Sequence, residues 1–181
     1  MKKFLVAIFT ALLLSGCSLG KMDNTPTKQV EKYLNNYQIL DSNVLTQLDS
    51  IVSRETSFTD VQKQDYRDLL KKHYQDLTYN IKEETVNGDK ATVEVEIEVN
   101  DYTKAIKEAE SYRKENEKEF LAENNTFDES KFNDYKLNLL KESKERVKYT
   151  LYFSLTKADG DWNLDKLTET EQKKILGIYE Y

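Results

Sequence analysis

Apolar residues recur along this chain with two different periods, and the period changes just after Leu77. Val30, Tyr33, Leu34 and Tyr37 fall at i, i+3, i+4 and i+7, which predicts a helix with Thr25 as its N-cap and Pro26 at its first position. After a break near residues 40–42, Val44, Leu45, Leu48, Ile51 and Val52 repeat the spacing to about Arg54. Thr59 and Gln62 carry a capping-box pattern for a third helix. That helix is expected to set Val61, Leu69, Leu70, Tyr74 and Leu77 on one face.

Beyond Leu77 the pattern becomes that of strands. Residues 92–100 (TVEVEIEVN) alternate without a break, with Val93, Val95, Ile97 and Val99 on one face and Glu94, Glu96 and Glu98 on the other. Asn87-Gly88-Asp89 marks a turn back to a weaker strand holding Tyr79 and Ile81. A second hairpin spans residues 149–167: Tyr149, Leu151, Phe153 and Leu155 alternate, Asp159-Gly160-Asp161 turns, and Trp162 and Leu164 point inward. Four antiparallel strands with one apolar and one polar face follow from this.

Between the hairpins, residues 102–147 read as helix again. Ala105, Ile106, Ala109, Tyr112 and Phe120 form a first stripe, and Phe132, Tyr135, Leu139 and Val147 a second. Asn124-Asn125-Thr126 is the expected turn, with Thr126 or Asp128 as the next cap. Two helices of about 20 residues, each roughly 30 Å long, would form an inserted αα-hairpin. A short helix over residues 168–176, stopped by Gly177, closes the chain. The fold class is therefore α+β: N-terminal helices packed on a four-stranded antiparallel sheet, with a helical hairpin inserted between two β-hairpins.

The first residues have a different character. Met1-Lys2-Lys3 is positive, and residues 4–14 (FLVAIFTALLL) are an apolar run too short to span a bilayer. Leu14-Ser15-Gly16-Cys17 ends it and holds the only cysteine. This tetrad resembles the lipobox of bacterial lipoproteins, in which the cysteine is lipidated and the signal is cut just before it. The resemblance implies cleavage between Gly16 and Cys17, lipid attachment at Cys17, and a membrane-anchored domain facing outside the cytoplasm. The expected organisation is a signal peptide over 1–16, a lipidated cysteine and spacer over 17–25, and one domain over 26–181 with the helical insertion at 102–147.

Charge and composition narrow the chemistry. Loss of the signal takes 27 basic residues to 25 against 33 acidic, a balance of −8, which disfavours nucleic acid as a partner. With Cys17 committed to lipid, no thiol remains for a disulfide or a thiolate metal site, and one histidine cannot build a zinc site. No cofactor, metal or catalytic constellation is expected: the hydrolase, metalloprotease and P-loop motifs are missing. His73 reads either as a general base beside Asp76 or Glu83, or as a histidine at the border of the core. Glu94, Glu96 and Glu98 read either as a cation ladder or as a solvated face compensated by Lys82 and Lys148 on the flanking strands.

The helical run to Leu77, the strand over 92–100 and Gly160-Asp161-Trp162-Asn163-Leu164 together resemble the NTF2-like, or cystatin-like, α+β fold of small Gram-positive lipoproteins. NTF2-like folds sometimes hold enzymes, isomerases and dehydratases, that use an Asp or His in an apolar cone. The aromatic residues Tyr33, Tyr37, Tyr74, Tyr79, Tyr149, Phe153 and Trp162 either fill the space between sheet and helices or line a ligand pocket there. Tyr33, Tyr74, Phe153 and Trp162 are the candidates for such a pocket. The expectation is a non-catalytic interaction module that contacts another envelope protein or macromolecule. Residues 102–147 would serve as its contact arm, or else pack on the domain's own sheet. The alternative is a surface protein that binds a small apolar ligand. A monomer is expected, because the Glu94-Glu96-Glu98 face would repel its own copy.

Overall fold

A computed structural model describes residues 24–180, so the signal segment, the Gly16–Cys17 junction and most of the spacer lie outside the described residues. Its elements run α1 (Pro26–Gln38), α2 (Ser42–Ser53), α3 (Asp60–Gln75), β1 (Thr78–Asn87), β2 (Lys90–Asn100), α4 (Thr103–Glu115), a 3₁₀ turn (Glu117–Phe120), α5 (Glu129–Glu142), β3 (Arg146–Ala158), β4 (Asp161–Leu164) and α6 (Glu169–Ile175). The four strands form one antiparallel meander in the order β1-β2-β3-β4. The α+β architecture and the helical insertion between the hairpins are as the periodicity implies.

Capping explains the helix starts. Thr25 accepts from the Lys28 N–H, Asp41 from that of Asn43, and Asp128 from that of Lys131. Thr59 with Gln62, and Thr168 with Glu171, close full capping boxes. A carboxylate from the sheet supplements the start of α1. Lys82 forms a bulge in β1, which reverses the strand's inside–outside phase and turns Glu84 toward α1. Glu84 Oε2 then accepts from the Thr27 N–H at 3.0 Å and the Thr27 hydroxyl at 2.6 Å, an acid placed at the positive end of a helix whose own first turn holds none.

The core lies between the sheet and the helices. Val93, Val95 and Ile97 of β2 sit opposite Phe153, Leu151 and Tyr149 of β3, all nearly free of solvent. Val30 and Leu34 of α1, Leu48 of α2, Leu70 of α3 and Ile175 of α6 pack into the same cluster. The other sheet face is polar, and Glu96 there pairs with Lys82 and Lys148, both at 3.4 Å, while Glu98 pairs with Arg146. The compensated face is thus the arrangement observed, and among the described residues no group of three or more metal-ligating side chains comes together.

Residues 102–147 depart from expectation in two ways. The helices are shorter than 20 residues, 13 in α4 and 14 in α5, because the 3₁₀ turn and a bridged loop (Leu121 with Phe127) occupy the middle and Val147 belongs to β3. The pair also packs along α3 and not on the sheet. Leu137 and Leu140 of α5 join Phe58, Leu69, Tyr102 and Ala105 in a second core cluster. Phe132 joins Ala109 and Phe120 in a third.

Buried amides fasten this layer to the N-terminal helices. Gln62, 2% exposed, donates to Ser130 O and Asp134 Oδ1 at 2.8 and 2.7 Å, and Asn133 donates to Ser57 O at 3.2 Å. Because α5 takes up that side of α3, the turn that carries Gln62 inward leaves Val61, expected in the core, 73% exposed.

Candidate binding cleft

Helices α1, α2 and α3 meet the chain after β4 along a cleft of about 720 Å³ that opens to solvent. Tyr33 and Tyr37, one helical turn apart on α1, and Tyr74 on α3 provide its aromatic wall. From α2 come Gln47, Ser50, Ile51 and Arg54, spaced i, i+3, i+4 and i+7 and therefore on one face. The segment 164–167 and, from α6 and its C-cap, Gln172, Ile175 and Leu176 close the far side.

The tyrosines hold one another in place. Tyr33 packs edge-on to Tyr37 and to Phe153, with ring centroids 5.4 and 5.9 Å apart, and Tyr37 packs edge-on to Tyr74 at 4.9 Å. The Tyr33 and Tyr37 hydroxyls share a hydrogen bond of 2.9 Å. Tyr74 is 3% exposed, lines the cleft, and its hydroxyl has no hydrogen-bond partner among the described residues. Burial pushes all three phenols above their ordinary range, so they remain protonated donors at neutral pH.

The four sequence candidates divide evenly. Tyr33 and Tyr74 line the cleft. Phe153 lies behind Tyr33 as core, 2% exposed, and Trp162 packs into the core, 8% exposed, with the Lys157 ammonium 5.5 Å from its ring. Tyr79 and Tyr149 fill space too, their hydroxyls donating to Asn35 Oδ1 and to the Tyr179 carbonyl. The interior aromatics therefore divide between the wall of the cleft and the filling of the core.

His73 is no border residue. It is fully buried, its ring 4.9 Å from that of Tyr102, because α4 and the C-terminal segment cover the side of α3 that a free helix would expose. Nε2 lies 2.8 Å from the Ile175 carbonyl, which can only accept, so Nε2 carries the proton and Nδ1 is left without a partner. Burial lowers its pKa to about 4. Its role in the geometry is to hold α6, one wall of the cleft.

Periodicity did not point to Arg54, Lys166 or the α6 residues. The polar stripe Gln47-Ser50-Arg54 beside Ile51 was the one local sign, since a helix face that mixes polar and apolar residues suits a half-open site. Among the described residues no helix is long and apolar enough to cross a membrane. Compared with known proteins, the chain matches no protein-family model, no curated protein and no solved structure.

Proposed function

We propose that this chain is a membrane-tethered, extracytoplasmic binding protein without catalysis of its own, holding a ligand from the cell envelope in the cleft between its helices and the chain after β4. The observation that carries the reading is the cleft itself: its volume suits a small molecule, its walls mix apolar and polar side chains in nearly equal measure, and the Tyr74 hydroxyl opens into it without a hydrogen-bond partner among the described residues. The lipobox-like tetrad ending at Cys17 supports the tether, and the sealing of His73 behind Tyr102 and Ile175 supports a role without acid–base chemistry.

Purification of the intact protein from native membranes, followed by organic extraction and mass spectrometry, tests this. A small molecule is expected from the natural sequence and not from Ser50→Trp, which plugs the mouth of the cleft. Identical extracts from both proteins would overturn the reading. In the same preparation Cys17→Ala should leave the membrane fraction.

A second reading, an interaction module that contacts an envelope protein through residues 102–147, is favoured by Phe127. This ring is 39% exposed at the tip of the helical pair, with the Arg113 guanidinium 5.5 Å from its centroid. Deleting the pair would dismantle the cluster around Leu137, so the clean variant is Phe127→Asp. Capture of one envelope protein by the natural sequence and not by this variant supports that reading, and equal capture by both removes it.

A further inference from the structure

The chain enters the domain at one end of the sheet and is fastened there. Asn24 donates through Nδ2 to Asp161 Oδ1 at 2.6 Å and accepts the Trp162 N–H at 2.9 Å, which ties it to the turn between β3 and β4. Three residues on, Thr27 is held by Glu84 of β1. The turn between β1 and β2 lies at the same end, because the Lys157 N–H, near the β3–β4 turn, donates to Asp89 O at 2.8 Å. The helical pair leaves the sheet at the opposite end. There β2 runs out at Asn100 before α4, and β3 begins after α5 at Arg146, which is paired with Asn100 in register. The 11 residues of β2 set the two ends about 36 Å apart.

Cys17 precedes Asn24 by seven residues, a stretch that reaches at most about 25 Å. From this we infer that the short tether holds the end of the domain with the two hairpin turns against the bilayer surface. The helical pair, with Phe127 at its tip, is then presented away from the lipid, toward envelope components beyond the headgroups. This rests on the lipid attachment at Cys17 proposed above.

A tether shorter than the sheet keeps its own point of attachment near the headgroups and leaves the other end free to point outward. Charge discourages the alternative of lying flat, because 33 acidic residues against 27 basic set the domain against an anionic leaflet. Charge does not draw the turns down either: Lys90 and Lys157 stand there against Asp89, Asp159 and Asp161. The tether alone therefore sets the orientation.

Energy transfer on the full-length lipoprotein tests it. The protein is purified from membranes and reconstituted in vesicles of phosphatidylethanolamine and phosphatidylglycerol that carry a headgroup-linked acceptor. With Cys17 acylated, an impermeant donor dye attaches at one engineered thiol, Asn87→Cys by the turns or Lys144→Cys beside the helical pair, both side chains being exposed. Transfer is expected to be at least about twofold higher from position 87, the two sites being separated by roughly the length of β2. Insertion of about twenty Gly/Ser residues between Met22 and Asp23 should bring the two signals together, since a flexible linker of that length frees the domain to tumble.

Equal transfer from the two sites, or more from position 144, overturns the inference. So does a difference that survives the insertion, which would assign the orientation to direct lipid contact. Flotation of the same vesicles reports on the tether separately. Protein left at the bottom of the gradient overturns the lipid attachment and this inference with it, whereas floating protein with equal signals overturns the orientation alone.

Discussion

Gly177→Ala is expected to destabilise the protein by at least about 3 kcal/mol, read as a lower urea midpoint, and to free the C-terminal segment from the domain. Two independent obstacles act at this position. Gly177 ends α6 at φ +67°, a left-handed conformation in which a side chain is strained, and it completes the helix stop: its N–H donates to Lys174 O and that of Ile178 to Lys173 O, both at 3.0 Å. An added methyl group would also overlap the Asn100 carbonyl oxygen and press on His73 Cε1 at 3.1 Å. Neither neighbour can move cheaply, because the first is backbone of β2 and the second is a buried ring. The Gly177 carbonyl accepts from the Tyr102 N–H at 2.9 Å, so displacement breaks the join between α6 and α4 as well. A midpoint within a few tenths of a molar of the natural protein would show that the C-terminal segment contributes little.

Acidification should weaken the protein through His73. Burial, and secondarily the Arg146 charge, lower its pKa from 6.5 to about 4, against the opposing pull of the Ile175 carbonyl and Asp76. The unfolded chain takes up a proton as pH falls through 6.5, while the folded chain stays neutral until about pH 4. The stability at stake is thus fully present above pH 6.5 and is lost between there and pH 4. It amounts to on the order of 3 kcal/mol. A proton on Nδ1 would be a buried donor facing no acceptor, which is the physical source of the penalty.

Comparing urea unfolding at pH 7 and pH 4.5 for the natural protein and His73→Gln isolates this contribution. The exposed carboxylates whose pKa values are lowered by ion pairs or hydrogen bonds, among them Asp49, Asp68 and Glu96, lose stability equally in both. The natural protein should therefore lose more than the variant on acidification. Parallel losses would mean that His73 titrates normally in the folded state. Because His73 holds Ile175, and Ile175 and Leu176 wall the cleft, acid and Gly177→Ala should both also weaken any ligand bound there.

Local interactions explain which parts of this architecture could be read before any coordinates. Caps at Thr25 and Thr59, the alternation through residues 93–99 and the turn at Asp159-Gly160 each involve residues a few positions apart. Periodicity and turn chemistry report such features directly. Even the pairing of Glu96 with Lys82 and Lys148 was legible, since a strand's outer face meets only the outer faces of its neighbours.

The destination of each surface could not be read in that way. Whether α5 lay on the sheet, stood free or packed on α3 depended on Gln62, Ser130 and Asp134, which are far apart in sequence and meet only in space. That docking exposed Val61, helped to bury His73 and gave Leu137 and Leu140 a partner that their own stripe did not announce.

The cleft is of the same kind. Its tyrosines come from α1 and α3, its cations from α2 and the chain after β4, and its last wall from α6. The sequence by itself determined the order and kind of the main elements, the caps at Thr25 and Thr59, the two faces of the sheet and the N-terminal tetrad. The tertiary structure alone decided which helix faces meet and which gap between them stays open, because periodicity records that a face is apolar and carries no information about what will cover it.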